Sequence, residues 1–376
     1  MRPAFSSTAQ AVAFALLSLT LLLSPVLAGK KFLPSREQSY AMAGWDQSPG
    51  PWIYQQIFQE TNDIDIAFVG SSLMMCGIDT PYVQKKLTEK LGRPAVVRSI
   101  AWAGNGYDAM YFITRDLLAH RKVKLLVFIG EGIEFKNIRN AQTPIWFRFG
   151  DDASQLAHLP LSEQIFLYSA AVVGVPRNLL ATISPVIPLD PYSGSNHIEA
   201  AYNAENPASR LGAVSARLES TASAFNLPFQ PMILPAARDA DVVIYSPTNS
   251  STFYFTNQPL PAWQSDFGKK FARLAQEKGC RLVLIHFPQV YEMRSATVNE
   301  PVNWPNELDA PITMLGIPPA KFFDGLTDDE VYRLYANSSL ARGDNPSSHF
   351  NQHGQIYFTT TITPALIDIY ENQGSH

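Results

Sequence analysis

Short apolar runs alternate with amphipathic segments in two parts of this 376-residue chain, and this alternation restricts the possible folds more than any other feature. Each apolar run is too short for a buried helix and ends near glycine or proline, which is typical of a buried strand. Strands that alternate with helices form crossover units around a parallel sheet. We therefore predict an α/β fold with the strands IDIAFVG (64–70), PAVVRSIAWAG (94–104), KVKLLVFIGEG (122–132) and RLVLIHFP (281–288).

Four amphipathic segments are predicted to be helices. The segment 81–92 has proline in its first turn and glycine after its last, an arrangement typical of helix ends. The other three are YDAMYFITRDLLAHR (107–121), AWQSDFGKKFARLAQEKG (262–279) and the closing GQIYFTTTITPALIDIYENQ (354–373). The short run KFFDG is predicted to hold a strand that ends at Asp324.

The alternation stops between about residues 136 and 262. This stretch contains helical segments separated by loops rich in proline, asparagine and serine. A long interruption of this kind within an α/β domain is predicted to be a mainly helical insertion that serves as a lid or substrate platform. A second independent domain is the alternative, although no strand set of its own is evident. We assign residues 29–376 to one α/β domain that carries this insertion.

Residues 1–28 form a leader of a different character. A basic residue precedes a mainly apolar run, and Val26 and Ala28 occupy the positions that a signal peptidase requires. A run of about 18 apolar residues can also just span a bilayer, and Lys30 and Lys31 follow directly. A cleaved signal peptide and a membrane anchor both stay open, and either one places the body outside the cytoplasm, periplasmic or secreted. A buried core helix is the third interpretation.

Composition excludes several function classes. The net charge of −4 and the lack of any basic run longer than two residues leave nucleic-acid binding without an electrostatic source. The histidines are not clustered in the sequence, so no metal is predicted, and the sequence has neither a P-loop nor a GxGxxG motif that opens a helix, so no other cofactor is predicted. The only cysteines, Cys76 and Cys280, lie at opposite ends of predicted parallel strands, too far apart for a disulfide. We predict two free thiols.

Small and polar residues gather where the predicted strands end. These groups are Ser71-Ser72 after the first strand, Gly104-Asn105-Gly106 after the second, Gly130-Glu131-Gly132 after the third, and His349 before the last helix. Ligands of an open parallel sheet bind at the carboxyl ends of its strands. The convergence of these groups predicts a binding or catalytic site at that edge.

Two of these groups resemble blocks of the SGNH (GDSL-type) hydrolase superfamily. FVGSSL (68–73) is similar to the first block, with Ser72 at the nucleophile position and Ser71 where aspartate is usual. SIAWAGNG (99–106) is similar to the second block, which implies that Gly104 offers its backbone N–H to an oxyanion.

The segment SSHFNQHGQIYFT (347–359) is similar to the last block of that superfamily. His349 stands in the place of the catalytic histidine, and Gly354 stands in the place of the later glycine. The resemblance covers roughly residues 60–135 and 265–370. It implies a flavodoxin-like three-layer sandwich around the central parallel sheet, which is the SGNH hydrolase fold.

Two positions depart from the superfamily pattern. Gly132 stands where the third block has an asparagine, and Pro346 stands where an acid usually precedes the histidine. Asn105 is predicted to supply the missing amide donor. Asp344 is the nearest acid able to orient the imidazole of His349, and a Ser–His dyad without it is an alternative.

The resemblance implies acyl chemistry. Serine becomes a strong nucleophile when a histidine takes its proton, and N–H groups of Ser72 and Gly104 can stabilise the oxyanion that forms. Chains with an N-terminal anchor and an H-x-N-x-x-G ending look similar to extracytoplasmic acyltransferase partners, such as those of alginate acetylation and teichoic acid D-alanylation. This predicts an ester hydrolase or O-acyltransferase that acts on an acylated cell-envelope polysaccharide or a small acyl ester, with a membrane acyltransferase as a possible partner. A catalytically silent binding module and a membrane-tethered assembly protein are the alternatives.

The candidate residues also have structural interpretations. Ser71 and Ser72 can cap the following helix, His353 can be a surface or capping residue, and His286 can belong to the core. Some further residues also have two interpretations: they line the site, or they serve as caps, strand ends or core residues. These are Glu131, Glu134, Asp324, Trp146, Tyr192, Tyr202 and Trp263.

Overall fold

A computed structural model of the protein describes residues 4–27, 37, 53–101, 106–129, 159–165, 168–169, 172, 244–246, 262–290, 308–335, 349–350 and 352–372. The strands are β1 (Ile64–Val69), β2 (Val97–Ser99), β3 (Val123–Ile129), β4 (Ile244–Ser246), β5 (Arg281–Ile285) and β6 (Ile312–Gly316). The α-helices are α1 (Thr8–Leu27), α2 (Ser72–Gly77), α3 (Thr80–Leu91), α4 (Tyr107–His120), α5 (Ala262–Glu277), α6 (Pro319–Phe322), α7 (Asp328–Tyr332) and α8 (Gln352–Glu371). A π-helical turn spans Gln55–Gln59.

These strands form one sheet in the order β2-β1-β3-β5-β6-β4. The first five strands in that order are parallel, and β4 pairs antiparallel with β6 at the edge. Without β4, the parallel strands follow the flavodoxin-like order 2-1-3-4-5. The predicted α/β fold with a parallel sheet is confirmed.

The sheet is covered by helices on both faces. On one face, Ala67 and Val69 of β1 belong to a core that includes residues of α4 and α5. On the other face, Ile66 and Phe68 belong to a second core with residues of α2, α3 and α8. A strand buried on both faces is apolar at nearly every position rather than at every second one. This is why IDIAFV could be recognised as a central strand from the sequence.

The ends of α3 also follow their sequence signals. The Asp79 carboxylate accepts a hydrogen bond from the Tyr82 N–H at 3.2 Å, and Pro81 lies in the first turn. Gly92 ends the helix with φ of 62°, in the left-handed region that glycine adopts without strain. The predicted helix at 81–92 is therefore confirmed within a residue at each end.

The strand predicted at KFFDG is wrong. Phe322 is the last residue of the short helix α6, and Asp324 lies in an exposed turn after it. The fifth parallel strand is β6, ITMLG, which precedes this stretch. Two consecutive prolines, Pro318 and Pro319, begin a helical turn here, and this turn buries both phenylalanines without a strand.

Only a small part of the predicted insertion lies within the described residues. Helical residues occur at 161–165, 168–169 and 172, while β4 at 244–246 joins the edge of the main sheet. The sequence did not predict this strand. It ties at least one part of the stretch 136–262 directly to the α/β sheet.

Cys76 and Cys280 form no disulfide, as predicted, and the structure shows that both are buried. Cys280 immediately precedes β5 and belongs to the core shared with α4 and α5. Burial raises the pKa of its thiol to about 11. The thiol is thus protonated and unreactive at neutral pH.

The N-terminal helix α1 is long and apolar enough to cross a membrane, by length and composition alone. Its large side chains are exposed, so the core-helix interpretation is wrong. Pro25 cannot donate to the Leu21 carbonyl one turn earlier. The Ser24 hydroxyl donates to that carbonyl instead, at 2.7 Å. The polar backbone of α1 is in this way satisfied next to its proline.

A buried carboxylate joins three elements at the amino-terminal edge of the sheet. Asp65 of β1 accepts hydrogen bonds from Arg93 at 2.6 and 3.1 Å, from Lys124 at 3.2 Å, from the Tyr370 hydroxyl at 2.6 Å and from the Val96 N–H at 2.9 Å. Burial alone raises the pKa of the Asp65 carboxyl, but these hydrogen bonds together outweigh burial and hold that pKa well below its usual range. The network anchors the end of α8 to the sheet.

We expect Asp65→Asn to lower the free energy of unfolding by about 1 to 2 kcal/mol at pH 7, because the variant loses the charge that Arg93 and Lys124 stabilise. The loss stays this small because solvent screens the half-exposed side chains of Arg93 and Lys124. A carboxyl whose native pKa is depressed stabilises the fold above its unfolded pKa, about 4, and this contribution disappears as the pH falls toward the native pKa. Denaturant unfolding at pH 7 and at pH 3 should show the difference between wild type and variant shrinking. Glu89→Gln, which removes an exposed ion pair with Lys86, is the control. A pH-independent difference would contradict the electrostatic origin.

Candidate functional site

The chain leaves β1 through a glycine that the packing requires. A Cβ atom at Gly70 would lie 2.6 Å from the Cγ2 atom of Ile129, at the end of the neighbouring strand β3. A larger residue would therefore force the Ile129 side chain or the nearby backbone to shift. Glycine therefore lets the chain turn directly from β1 into α2 at the carboxyl edge of the sheet.

The two serines after Gly70 have different places. Ser71 is the N-cap of α2, is only 1% exposed, and its hydroxyl accepts a hydrogen bond from the Leu73 N–H at 3.3 Å. Ser72 is the first residue of the helix, and an N–H group at that position has no acceptor within its own helix. The capping interpretation therefore holds for Ser71.

His349 is held by its neighbours at the start of α8. Phe350 forms a β-bridge with Tyr335, and its ring packs against Phe287. A Cβ atom at Gly354 would lie 2.2 Å from the Leu334 carbonyl oxygen, so glycine allows the first turn of α8 to approach that backbone. These contacts hold the backbone directly after His349.

Burial lowers the pKa of the His349 imidazole from its ordinary value. The ring is therefore mostly neutral at pH 7, and a neutral imidazole can accept a proton. Burial also lowers the pKa of His353, in the first turn of α8. The direction of the shift does not distinguish the two histidines as bases.

The elements that carry Ser72 and His349 are in contact at the carboxyl edge of the sheet. Phe287, which packs against Phe350, lies two residues after the end of β5. On the serine side, a Cβ atom at Gly77 would lie 2.1 Å from that same Phe287 ring. The end of α2 and the residue after His349 therefore pack on one phenylalanine.

Hydrogen bonds from α8 also hold the carboxyl end of α2. The Gln355 amide donates to the carbonyl oxygens of Met75 and Ile78, at 3.3 and 3.2 Å. The Thr359 hydroxyl accepts from the Asp79 N–H at 2.9 Å and donates to the Gly77 carbonyl at 3.4 Å. These partners lie 277 to 282 positions apart in the sequence. They set the position of the serine helix relative to the helix that follows the histidine.

We expect Thr359→Val to lower the free energy of unfolding by about 2 kcal/mol, because the partly buried Asp79 N–H loses the acceptor that the fully buried Thr359 side chain provides. Thr361→Val is the matched control, since the Thr361 hydroxyl bonds only to a carbonyl within α8, and we expect a change within about 0.5 kcal/mol. Denaturant unfolding measures both. Equal effects of the two variants would show that the contact between α2 and α8 contributes little.

The other predicted site residues divide into two groups. His286 is buried directly after β5 and belongs to the interior, and Trp263 is 2% exposed with its indole N–H donating to Asp108 at 3.1 Å. Trp263 therefore cannot stack on a sugar ring. The predicted residues outside the described part of the chain are Gly104, Asn105, Glu131, Gly132, Glu134, Trp146, Tyr192, Tyr202, Asp344 and Pro346.

Sequence reasoning missed one buried polar contact near this edge. The Gln264 side chain accepts a hydrogen bond from the Tyr107 N–H at 2.7 Å and occupies the space that a Cβ atom at Gly106 would need. This contact joins the starts of α4 and α5. A glutamine in the first turn of an amphipathic helix carries no sequence signal for burial, because its partner is 157 positions away.

Among the described residues, no group of three or more histidine, cysteine, aspartate or glutamate side chains is arranged to hold a metal ion. Fold and site together define an α/β protein in which a serine begins a helix after β1 and a histidine precedes the contacting helix α8. Comparison with protein-family models finds no match to this chain, and comparison with curated proteins finds no similar sequence.

Proposed function

We propose that the protein is a serine-dependent ester hydrolase or O-acyltransferase with Ser72 as nucleophile and His349 as base. The observation that carries this proposal is the contact between α2, which begins at Ser72, and α8, which follows His349, at the edge where strands of a parallel sheet deliver their carboxyl ends. The sequence blocks 68–73, 99–106 and 347–359 resemble those of SGNH hydrolases, and this resemblance supports the proposal independently of the geometry.

In the proposed reaction, the His349 imidazole takes the proton of the Ser72 hydroxyl while the serine oxygen attacks an ester carbonyl. The oxyanion accepts hydrogen bonds from the N–H groups of Ser72 and Gly104 and from the Asn105 side chain. The C–O bond then breaks, and the alcohol leaves with the proton from His349, so that an acyl-serine remains. Water releases the acyl group as an acid, or an acceptor hydroxyl takes it up as a new ester. Asp344 is the acid proposed to orient the imidazole.

We further propose that α1 holds the body at the outer side of a cytoplasmic membrane, as an uncleaved tether. The helix has 20 residues, and a helix of that length spans the hydrocarbon core of a bilayer. This location supports an acylated envelope polysaccharide or a related small acyl ester as substrate. A membrane acyltransferase that supplies the acyl group is the proposed partner.

A fluorophosphonate probe tests the proposed chemistry. The probe phosphonylates an activated serine and releases fluoride, so we expect the intact protein to gain the mass of one adduct on the peptide that contains Ser72. Protein unfolded in denaturant should gain none. A folded protein that gains no adduct, or gains one on a different residue, would contradict the proposed nucleophile.

A catalytically silent envelope protein with the same fold is the second candidate. Gly132 and Pro346 favour it, because they replace the asparagine donor and the acid of the superfamily pattern. This candidate predicts no adduct together with retained binding of an acylated polysaccharide, whereas an assembly protein would bind no carbohydrate.

A further inference from the structure

The helical residues 161–165 present their apolar side chains outward. Leu161 is 71% exposed and Ile165, one turn later, is 57% exposed. The polar Gln164 is half-buried instead, and its amide donates to the carbonyl of Leu159, a core residue, at 2.9 Å. A helix on a water-facing surface has the opposite arrangement, with its apolar side against the core.

Leu161 and Ile165 are large, apolar and exposed, a combination that is rare among the described residues. Within the described part of the chain, every other exposed large apolar side chain belongs to α1 or to Phe5 just before it. The rest of the α/β body has no such patch among the residues described. Among the described residues, the outward apolar side of 161–165 thus shares its character only with α1 and Phe5.

A direct hydrogen bond joins this segment to α1. The Tyr168 hydroxyl donates to the carbonyl oxygen of Leu22 at 2.7 Å. Leu22 lies in the last two turns of α1, which ends at Leu27. If α1 spans the hydrocarbon core, its last turns lie near the boundary between acyl chains and headgroups, where tyrosine side chains are enriched.

We propose that the helical residues 161–165 and 168–169, here called the interfacial helix, lie on the same bilayer surface from which the carboxyl end of α1 emerges. Its ligand is the lipid surface itself, with Leu161 and Ile165 inserted at the acyl boundary and Tyr168 at headgroup depth. This inference rests on the proposed tether. It gives the predicted insertion an attachment to the membrane of its own, in addition to α1.

The test uses full-length protein in vesicles of phosphatidylcholine and phosphatidylglycerol. Single cysteines replace Ile165, Leu17 in the middle of α1, or Glu89 on the exposed side of α3, and each is labelled with an environment-sensitive fluorophore. Cys76 and Cys280 are buried and do not compete for the label. We expect blue-shifted emission at Ile165 and Leu17, with Ile165 quenched most by lipids spin-labelled near the headgroup and Leu17 by lipids spin-labelled near mid-chain. The Glu89 probe should emit as in water.

Each outcome decides the proposal. An Ile165 probe that emits as in water, beside a quenched Leu17 probe, would overturn the interfacial helix and leave the tether intact. A blue-shifted Ile165 probe that lipid-borne quenchers do not reach would show that protein, not lipid, covers this side, and would also overturn it. An unquenched Leu17 probe would contradict both the membrane tether and the interfacial helix. The fluorophosphonate reaction tests the catalytic proposal separately.

Discussion

Replacement of Ser72 by alanine is expected to abolish covalent labelling by a fluorophosphonate, a decrease of about 10⁴-fold or more, because alanine has no oxygen to form the bond. Ser71→Ala is the matched control. Ser71 caps α2 through a hydrogen bond to the Leu73 N–H. Its loss should lower the free energy of unfolding by about 1 kcal/mol and leave the rate of labelling within a few fold of wild type.

The two serine variants separate the chemical assignment from the structural one. Labelling rates are measured by intact-mass analysis, and unfolding is followed in denaturant on the same samples. Labelling that survives in Ser72→Ala and disappears in a folded Ser71→Ala would reverse the assignment. Labelling lost in both folded variants would mean that the cap positions the nucleophile rather than only stabilising the helix.

Replacement of His349 by alanine is expected to slow labelling by about 10³-fold at pH 7, since a general base contributes about 10² to 10⁴. His353→Ala is the control, because the proposed base is His349, and it should change the rate by less than about threefold. The two histidines are four positions apart at the start of α8, and burial lowers the pKa of both. A large effect at His353 and a small one at His349 would exchange their roles.

The pH dependence of labelling follows from the lowered pKa of His349. The base acts in its neutral form, and a lowered pKa keeps that form populated to a more acidic pH than for an exposed histidine. The wild-type rate should stay level from about pH 8 down to the ordinary histidine pKa of about 6.5 and fall only below it. The residual rate of His349→Ala should lack this inflection. A wild-type inflection above pH 7 would contradict a base whose pKa burial lowers.

The sheet illustrates what local sequence can predict. The central strands β1, β3 and β5 are buried on both faces, so each one reads as a nearly continuous apolar run between turn residues. Strand β6 is also buried along its whole length but was not predicted, because its run ITMLG is short and follows Pro311, and the strand was expected at the phenylalanine pair after it. The edge strand β4 has three residues and pairs with β6 across nearly 70 positions. No local pattern predicts a partner at that distance.

The serine pair illustrates a different limit. Two adjacent serines before a helix have the same capping propensity, so local sequence does not show which one is the cap. Only the family resemblance assigned Ser72 as the nucleophile. The backbone separates them, since Ser71 has an extended conformation with φ of −89° and ψ of −168° while Ser72 is helical. That difference assigns the cap.

By itself, the sequence determined the α/β class, the main strands and helices, the apolar N-terminal helix and the lack of a disulfide between the two cysteines. These features depend on local periodicity and on turn and cap residues, whose preferences act over a few positions. Only the tertiary structure decided that α2 packs on α8 through Gln355 and Thr359. It also decided that Asp65 accepts hydrogen bonds from Arg93, Lys124 and Tyr370. The contact of Gln264 that joins α4 to α5 is a third such feature. These contacts link residues tens to hundreds of positions apart. They form because buried polar groups must find partners once the sheet and its two helical layers have brought those segments together.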